Sequence, residues 1–143
     1  MEGGYLDHNP ARRTYKYAGQ KKEKKIADDE TVKKLIQALE TVSILYETYF
    51  KLIIATGMRR GECCALKWED INYAEHSIHV CRNAVKTTGD EIIVKAPKTK
   101  AGNRYVYFSG EMESLLREYE AFCAAETERY DRRKQTKDDY VFR

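Results

Sequence analysis

The stretch that determines the fold lies near the middle of the chain and reads Ala55-Thr56-Gly57-Met58-Arg59-Arg60-Gly61-Glu62, continued by Leu66-Lys67-Trp68-Glu69-Asp70-Ile71. Residues 43–56 are apolar on nearly all sides at helical spacing, and they predict a buried helix that ends at Gly57. A short amphipathic helix is predicted from about Arg60 to Leu66. Because Glu62 follows Arg59 by three residues, its carboxylate can hold the guanidinium in place on a helical turn. An arginine pair at a helix start suits a phosphate or another oxyanion.

Upstream of this stretch, Asp28 or Asp29 offers an N-cap for an amphipathic helix. The helix is indicated by apolar residues at helical spacing, namely Val32, Leu35, Ile36 and Leu39. Downstream, Trp68 and Ile71 are expected to pack the corner after the short helix. Cys63 and Cys64 are expected to be small core residues.

The spacing of apolar residues then changes to that of strands. Segments 77–82, 92–96 and 104–108 are rich in β-branched and aromatic residues that alternate with polar ones. Turn sequences at 87–90 and 100–103 separate them. These segments predict a three-stranded antiparallel meander.

A last helix is predicted from about Glu111 to Arg129, and a strand begins at residues 139–143. The stripe expected to face the core consists of Met112, Leu115, Leu116, Tyr119 and Phe122. The sequence therefore predicts an α+β fold that is mainly helical, with a small three-stranded antiparallel sheet.

Composition excludes several classes of protein. The 143 residues are 34% charged, and the apolar runs are only a few residues long, so no segment is expected to span a bilayer. The N-terminus lacks the apolar region of a secretory signal, and the four cysteines are therefore expected to be reduced thiols. Their spacing matches no zinc pattern, and a strand would place His76 and His79 on opposite faces. We expect no metal ion and no cofactor.

The charge is distributed unevenly. Residues 11–25 carry a net charge of +6 within a chain whose net charge is +3, so the remainder sums to −3. A compact basic strip on a mildly acidic body is typical of a contact with nucleic acid or with another anionic surface. A solvated, flexible linker would have the same composition. An unrelated RNA-binding α+β domain would also agree with this strip and with the 11 tyrosines.

The ordered motifs of the middle region resemble those of the tyrosine recombinase, or phage integrase, family. Thr56-Gly57-Met58-Arg59-Arg60-Gly61-Glu62 followed by Leu66-x-Trp68-x-Asp70-Ile71 is similar to the family's first catalytic box. Ala96-Pro97-Lys98-Thr99-Lys100 with Asn103-Arg104-Tyr105-Val106 is similar to the strand pair whose turn carries a catalytic lysine. Asn9-Pro10 and the basic strip resemble the linker that leaves the family's core-binding domain. The resemblance is dense over residues 28–108.

The resemblance implies a role for each matching residue. Arg59 would contact the scissile phosphate, Glu62 would support Arg59, and Lys98 would protonate the departing 5′-hydroxyl. Lys100 is a rival for that last role. Arginine keeps its charge and suits the non-bridging oxygens, whereas lysine can act as an acid. Residues expected to contact DNA are Arg60, Lys100, Arg104, Lys21, Lys22, Lys24 and Lys25.

The family's later boxes, a helical His-x-x-Arg and a downstream tyrosine nucleophile, do not follow Lys98. The chain contains only His8, His76 and His79 as histidines. His79-Val80-Cys81-Arg82 spells the motif, but it precedes the lysine and lies in a predicted strand, where positions three apart face opposite sides. We therefore expect residues 1–27 to be a linker from an absent core-binding domain. Residues 28–143 would be the N-terminal part of a truncated catalytic domain.

The leading hypothesis is a site-specific recombinase or integrase that cuts and rejoins DNA through a 3′-phosphotyrosine. The resemblance implies double-stranded DNA as partner, a homotetramer on DNA for the full-length protein, and no ATP or metal. It also implies a cytoplasmic protein of a bacterium, phage or transposon. This fragment, which lacks the nucleophile, would be inactive alone. The alternative is a non-catalytic DNA-binding module of the same fold, in which Arg59 and Lys98 only contact phosphate.

Overall fold

The computed structural model describes residues 26–97 and 102–142. Its helices are α1 (Asp29–Leu39), α2 (Ile44–Thr56), α3 (Arg60–Cys64) and α4 (Gly110–Glu126). Its strands are β1 (Ile71–Asn72), β2 (Ser77–Val80), β3 (Asn83–Lys86), β4 (Ile92–Lys95) and β5 (Arg104–Tyr107). A 3-10 turn, Trp68–Asp70, precedes β1, and a π-helical turn, Thr127–Asp131, follows α4. Among the described residues, no helix combines the length and the apolar composition needed to cross a membrane.

Helix α1 begins, and helix α2 ends, where the sequence signals predict. Asp28 caps α1, because its side chain accepts a 2.8 Å hydrogen bond from the backbone N–H of Thr31. Helix α2 ends at Gly57, which adopts the left-handed conformation with φ at 66° and donates its N–H to the carbonyl of Ile53. A side chain is strained in that conformation, so glycine gives a sharp end to the helix. Both predicted helices are confirmed.

The prediction that α2 is buried on nearly all sides is wrong. Thr48 and Leu52 are fully buried, whereas Tyr46, Phe50 and Ile54 are each more than 40% exposed. The described part of the chain packs α1, α3 and α4 around one side of this helix. Its opposite side stays apolar and open within residues 26–97 and 102–142. An apolar surface on that side of α2 therefore did not mean that the side is buried among the described residues.

The strands form two sheets. Strands β1, β2 and β5 form a three-stranded antiparallel sheet in the order β1-β2-β5. Strands β3 and β4 form a separate antiparallel hairpin, in which Asn83 pairs with Lys95 and Lys86 with Ile92. The α+β class with a small three-stranded antiparallel sheet is confirmed. The proposed meander is wrong, because segment 92–96 pairs with the unpredicted strand β3 and β1 takes the third place in the sheet.

The core lies between the inner face of β2 and one stripe of α4. Ile78 and Val80 alternate inward from β2, and Trp68 is 2% exposed at the corner before β1. The buried stripe of α4 consists of Met112, Leu116, Tyr119 and Cys123. Three of these were predicted, but Phe122 is 44% exposed. The stripe follows spacings of four, three and four residues, and this rotation turns Phe122 outward.

The end of the chain returns to the corner at Leu66–Trp68. Val141 is fully buried and donates its backbone N–H to the carbonyl of Leu66 at 2.8 Å. Its own carbonyl accepts a hydrogen bond from the hydroxyl of the buried Tyr119. The strand predicted at 139–143 is reduced, in the described residues, to a single bridge between Lys67 and Tyr140. This segment closes the core over Trp68.

The hairpin β3–β4 rests on α3 at Gly61. A Cβ atom placed on Gly61 would lie 2.5 Å from the carbonyl oxygen of Ala84 and closer still to the side-chain oxygen of Asn83. A backbone oxygen at that distance cannot move away unless the strand moves with it. Glycine therefore permits α3 and β3 to touch.

We expect Gly61→Ala to destabilise the protein by about 1–3 kcal/mol, because the added methyl group separates α3 from β3. Urea unfolding followed by circular dichroism measures the change. Gly110→Ala is the matched control, since within residues 26–97 and 102–142 no other group lies within 4 Å of its Cβ position at the start of α4. Helix propensity predicts that this control is neutral or stabilising by up to about 1 kcal/mol. Equal shifts in both variants would contradict the close contact.

Candidate phosphate-binding site

Arg59 lies at the junction between two helices. Gly57 ends α2, the side chain of Met58 is 2% exposed in the core, and Arg59 caps α3 in an extended conformation. Its side chain is 77% exposed. The backbone of Arg59 is thus fixed by a helix end on one side and a helix start on the other, while its guanidinium faces outward.

Glu62 is the buried centre of the site. Its side chain is 6% exposed and accepts the backbone N–H and the Nη1 of Arg59, each at 2.9 Å. It also accepts both terminal nitrogens of Arg104, at 3.1 Å on Oε1 and 2.9 Å on Oε2. The predicted pairing of Arg59 with Glu62 is therefore present, and a second guanidinium completes it.

These contacts keep Glu62 ionised. The hydrogen bonds from Arg104 lower the pKa of the Glu62 carboxyl to about 2; burial acts in the opposite direction, and the bonds from Arg59 add to the lowering. The same contact with Glu62 raises the pKa of Arg104 above its ordinary value. A buried carboxylate with several donors is stabilised in its charged form.

A cavity of about 250 Å³ opens beside this cluster. Arg59 and Glu62 form one wall, and Asn83, Val85 and Lys95 of the hairpin form another. Ala96, Pro97 and Gly102 complete the lining among the described residues. Pro97 and Gly102 are the described residues on either side of segment 98–101. The cavity therefore lies between Arg59 and the chain that leads into and out of the predicted lysine turn.

The structure brings three of the predicted site residues together: Arg59, Glu62 and Arg104. Arg60 is exposed at the start of α3. The lysines at 98 and 100 and those at 21, 22, 24 and 25 lie outside the described residues. The catalytic and DNA-binding assignments of all these residues stay predictions.

Two contacts were missed by the sequence analysis. One is the pair of Arg104 with Glu62; alternation along the predicted strand 104–108 puts Arg104 on the same face as the apolar Val106 and Phe108, and this would have indicated an inward position. The other is the pair of Arg82 with Asp70, in which Arg82 Nη2 lies 2.6 Å from both carboxylate oxygens. No local spacing signals this second pair, because the two residues are twelve positions apart.

Asp70, His79 and Cys81 place possible metal ligand atoms within 4.8 Å of one another. The carboxylate of Asp70 already accepts Arg82 and the backbone N–H of Lys67 at 2.8 Å. The Nε2 of His79 lies 2.7 Å from the side-chain oxygen of Asn103. A cation at this cluster would have to displace the Arg82 guanidinium, whose positive charge opposes it.

The larger cavity of about 400 Å³ lies elsewhere, between α1, α2 and α4. Its apolar lining includes Ile36, Ile54, Met112 and Leu115. Of the predicted site residues that the structure describes, none lines this cavity. Size alone therefore does not identify the site, and the charged cavity beside Arg59 is the better candidate for an anion.

We expect Glu62 to stabilise the fold in a pH-dependent manner. Its folded pKa of about 2 lies below the ordinary value of 4.5, so the stabilisation is complete above about pH 4.5 and is lost as pH falls through 2. The difference in unfolding free energy between the wild type and Glu62→Gln should therefore shrink by roughly 2–3 kcal/mol from pH 6 to pH 2. Urea unfolding at several pH values measures it. Glu118→Gln, at an exposed position of α4, serves as control.

The sequence model of the phage integrase family matches residues 25–143. The ICEBs1 integrase of Bacillus subtilis (strain 168) is 28% identical over 139 residues, which are 96% of this chain and 37% of that protein. A XerC-like tyrosine recombinase of Caldanaerobacter subterraneus subsp. tengcongensis is 29% identical over 133 residues, covering 83% of this chain and 34% of that protein. The chain thus spans little more than a third of the length of these relatives.

Solved structures share the fold. The integrase of transposon Tn1549, in complex with a circular intermediate DNA, superposes with a TM-score of 0.64 at 16% identity, over 73% of this chain and 34% of that one. XerA recombinase superposes with a TM-score of 0.56 at 19% identity, over 89% of this chain and 37% of that one. With the family match over residues 25–143, the chain belongs to the tyrosine recombinase family, also called the phage integrase family.

Proposed function

We propose that this chain is the N-terminal part of a catalytic unit that cleaves and rejoins double-stranded DNA in site-specific recombination. The observation that carries the proposal is the exposed guanidinium of Arg59, held by buried Glu62 on the wall of a cavity that reaches Pro97 and Gly102. Family membership supports it. The Tn1549 integrase, which has the same fold, was solved with DNA.

The proposed reaction is a transesterification at phosphorus. A tyrosine hydroxyl attacks the scissile phosphate and loses its proton to water or to a basic group of the longer protein. A bond forms between phosphorus and the tyrosine oxygen, and the bond to the 5′-oxygen breaks. Arg59 stabilises the charge on the non-bridging oxygens, for which its permanent charge and planar donors are suited. Lys98 gives its proton to the leaving 5′-oxygen. The product is a 3′-phosphotyrosine and a free 5′-hydroxyl, and the reverse steps rejoin a strand.

No histidine follows Lys98 in these 143 residues, and the chain spans 37% of the ICEBs1 integrase, so we assign the nucleophile and the histidine box to further residues of a longer protein. The fragment is therefore proposed to be inactive alone. In the longer protein it works as a homotetramer on two DNA duplexes. Arg59 and the residues on either side of segment 98–101 share one cavity, and this supports the catalytic role. A non-catalytic module of the same fold would keep this geometry, so cleavage of DNA that carries sulfur at the bridging position distinguishes the two.

We expect the chain to bind duplex DNA weakly, with little sequence preference, and with strong dependence on salt. Each neutralised phosphate contributes about 0.9 to the slope of log affinity against log salt. Gln at positions 21, 22, 24 and 25 should flatten that slope by up to about 3–4 if these lysines contact phosphates. Fluorescence anisotropy with a labelled duplex at several salt concentrations measures it.

A matched control distinguishes the effect of where the four lysines lie from the effect of the protein's lower net charge. Gln at Lys33, Lys34, Lys134 and Lys137, which are exposed on the body of the protein, removes the same number of charges. This control should change the slope much less. Affinity independent of salt, or equal flattening in both quadruple variants, would show that residues 21–25 are only a linker.

We expect Lys98 to be the general acid. The test uses a protein that carries this segment together with the remaining length of its relatives, and DNA with sulfur in place of the bridging 5′-oxygen. Sulfur leaves without protonation, so Lys98→Ala should be slower by about 10²–10⁴-fold on normal DNA and largely rescued on the sulfur substrate. Cleavage rates on both substrates measure the rescue.

Lys100→Ala is the comparison variant for this experiment. Rescue of Lys100→Ala instead would assign the proton to Lys100. If neither variant is rescued, this segment binds DNA without donating the proton, and the non-catalytic alternative gains support.

A further inference from the structure

Glu62 is shared by two arginines that differ in exposure. The side chain of Arg59 is 77% exposed and places one terminal nitrogen on the carboxylate, whereas that of Arg104 is 30% exposed and places both there. Arg59 and Glu62 alone would sum to zero charge. With Arg104 the cluster has a net charge of +1, and the exposed member of the cluster is Arg59.

This distribution of charge matters for any anion in the cavity. A carboxylate 2.9 Å from Arg59 cancels most of the attraction that its guanidinium exerts on a phosphate. When Arg104 neutralises the same carboxylate through two hydrogen bonds, the positive charge of Arg59 is left available. The Glu62 carboxylate can then hold Arg59 in place without cancelling the attraction of the guanidinium for an anion.

Arg104 also connects α3 to the strand that follows the predicted lysine turn. It is the first residue of β5 and pairs across the sheet with Val80 of β2. Gly102, two residues earlier, lines the cavity beside Arg59. The ion pair with Glu62 therefore fixes the separation between Arg59 and the strand end that enters the cavity.

We propose that Arg104 is a positioning residue that acts through Glu62, and not a direct DNA contact as its sequence position suggests. It neutralises the carboxylate that holds Arg59 and ties β5 to α3, so that Arg59 meets the phosphate with its charge uncompensated. This inference rests on the proposed function, because it assumes that Arg59 binds a DNA phosphate.

The first measurement does not depend on DNA. NMR titration of the glutamate side-chain carboxyls in the 143-residue chain follows Glu62, which forms ion pairs with Arg59 and Arg104. Removing the two bonds from Arg104 should raise the titration midpoint of Glu62 in Arg104→Gln by at least about one pH unit. Arg117→Gln, which removes an arginine paired with Glu113 on α4, should leave it unchanged. An unchanged midpoint in Arg104→Gln overturns the inference.

The second measurement is a double-mutant cycle with a labelled duplex. Arg104→Gln should weaken DNA binding roughly three- to tenfold when Arg59 is present and less than about twofold in the Arg59→Ala background, because the effect passes through Arg59. Equal losses in both backgrounds make Arg104 a direct DNA contact and overturn the inference. If Arg59→Ala alone leaves DNA affinity unchanged, the proposed contact between Arg59 and a phosphate is wrong. This outcome differs from equal losses of affinity in both backgrounds, so the two failures can be told apart.

A second variant, Arg104→Lys, shows whether the effects of Arg104→Gln arise from a folding defect. Arg104→Lys keeps a cation beside the buried carboxylate, so the fold is retained, but it replaces two directed bonds with a single ammonium. Its titration midpoint should lie between those of the wild type and Arg104→Gln. Its loss of DNA affinity should again disappear in the Arg59→Ala background, and an undiminished loss there contradicts positioning.

Discussion

The buried negative charge of Glu62 is the constraint on which the arrangement of the site depends. A carboxylate at 6% exposure must be compensated, because an unpaired buried charge costs several kcal/mol. The backbone N–H of Arg59 and two guanidinium groups supply that compensation. The start of α3 and the start of β5 are therefore held together by one side chain. Elements far apart in sequence acquire a fixed geometry through it.

Helix α3 is the shared support of the cavity walls. On one side Glu62 binds β5 through Arg104, and on the other Gly61 lets the backbone of β3 approach closely. The two strands that border segment 98–101, β4 and β5, are thus connected to the same five-residue helix, β4 through its pairing with β3. A short helix with little stability of its own gains order from these contacts.

Local signals predicted the helices well and the strand pairing poorly. The apolar run before Gly57 and the cap at Asp28 act within one turn of chain, so the sequence reveals them. The turn at 87–90 was also recognised, but it joins β4 to β3 and not to β2. Arg82 explains this difference: its pair with Asp70 holds the chain just after β2, and a separate strand begins at Asn83. The periodicity of the sequence does not reveal a contact between residues that are twelve positions apart.

In the site, too, local contacts could be predicted from the sequence and contacts between distant residues could not. Arg59 and Glu62 share one helical turn, so their pairing could be predicted, whereas the partner from β5 depends on how the sheet packs against α3. Motif resemblance placed Arg59 and Glu62 in one box, and it assigned Arg104 to DNA contact by its place in the chain. Alternation along β5 carried the missing information, since it turns Arg104 toward the body and Tyr105 toward solvent.

Two buried carboxylates, Asp70 and Glu62, are both paired with arginine, but only the second cluster leaves a positive charge exposed. Asp70 and Glu62 have equally buried side chains, each at 6% exposure. Asp70 takes both of its guanidinium contacts from Arg82, which is 24% exposed and has a buried Nε without a hydrogen-bond partner among the described residues. That charge is neutralised and enclosed, which suits a structural pair. Glu62 divides its oxygens between two arginines, so one positive charge remains in excess and lies on Arg59 at the surface, where an anion can reach it.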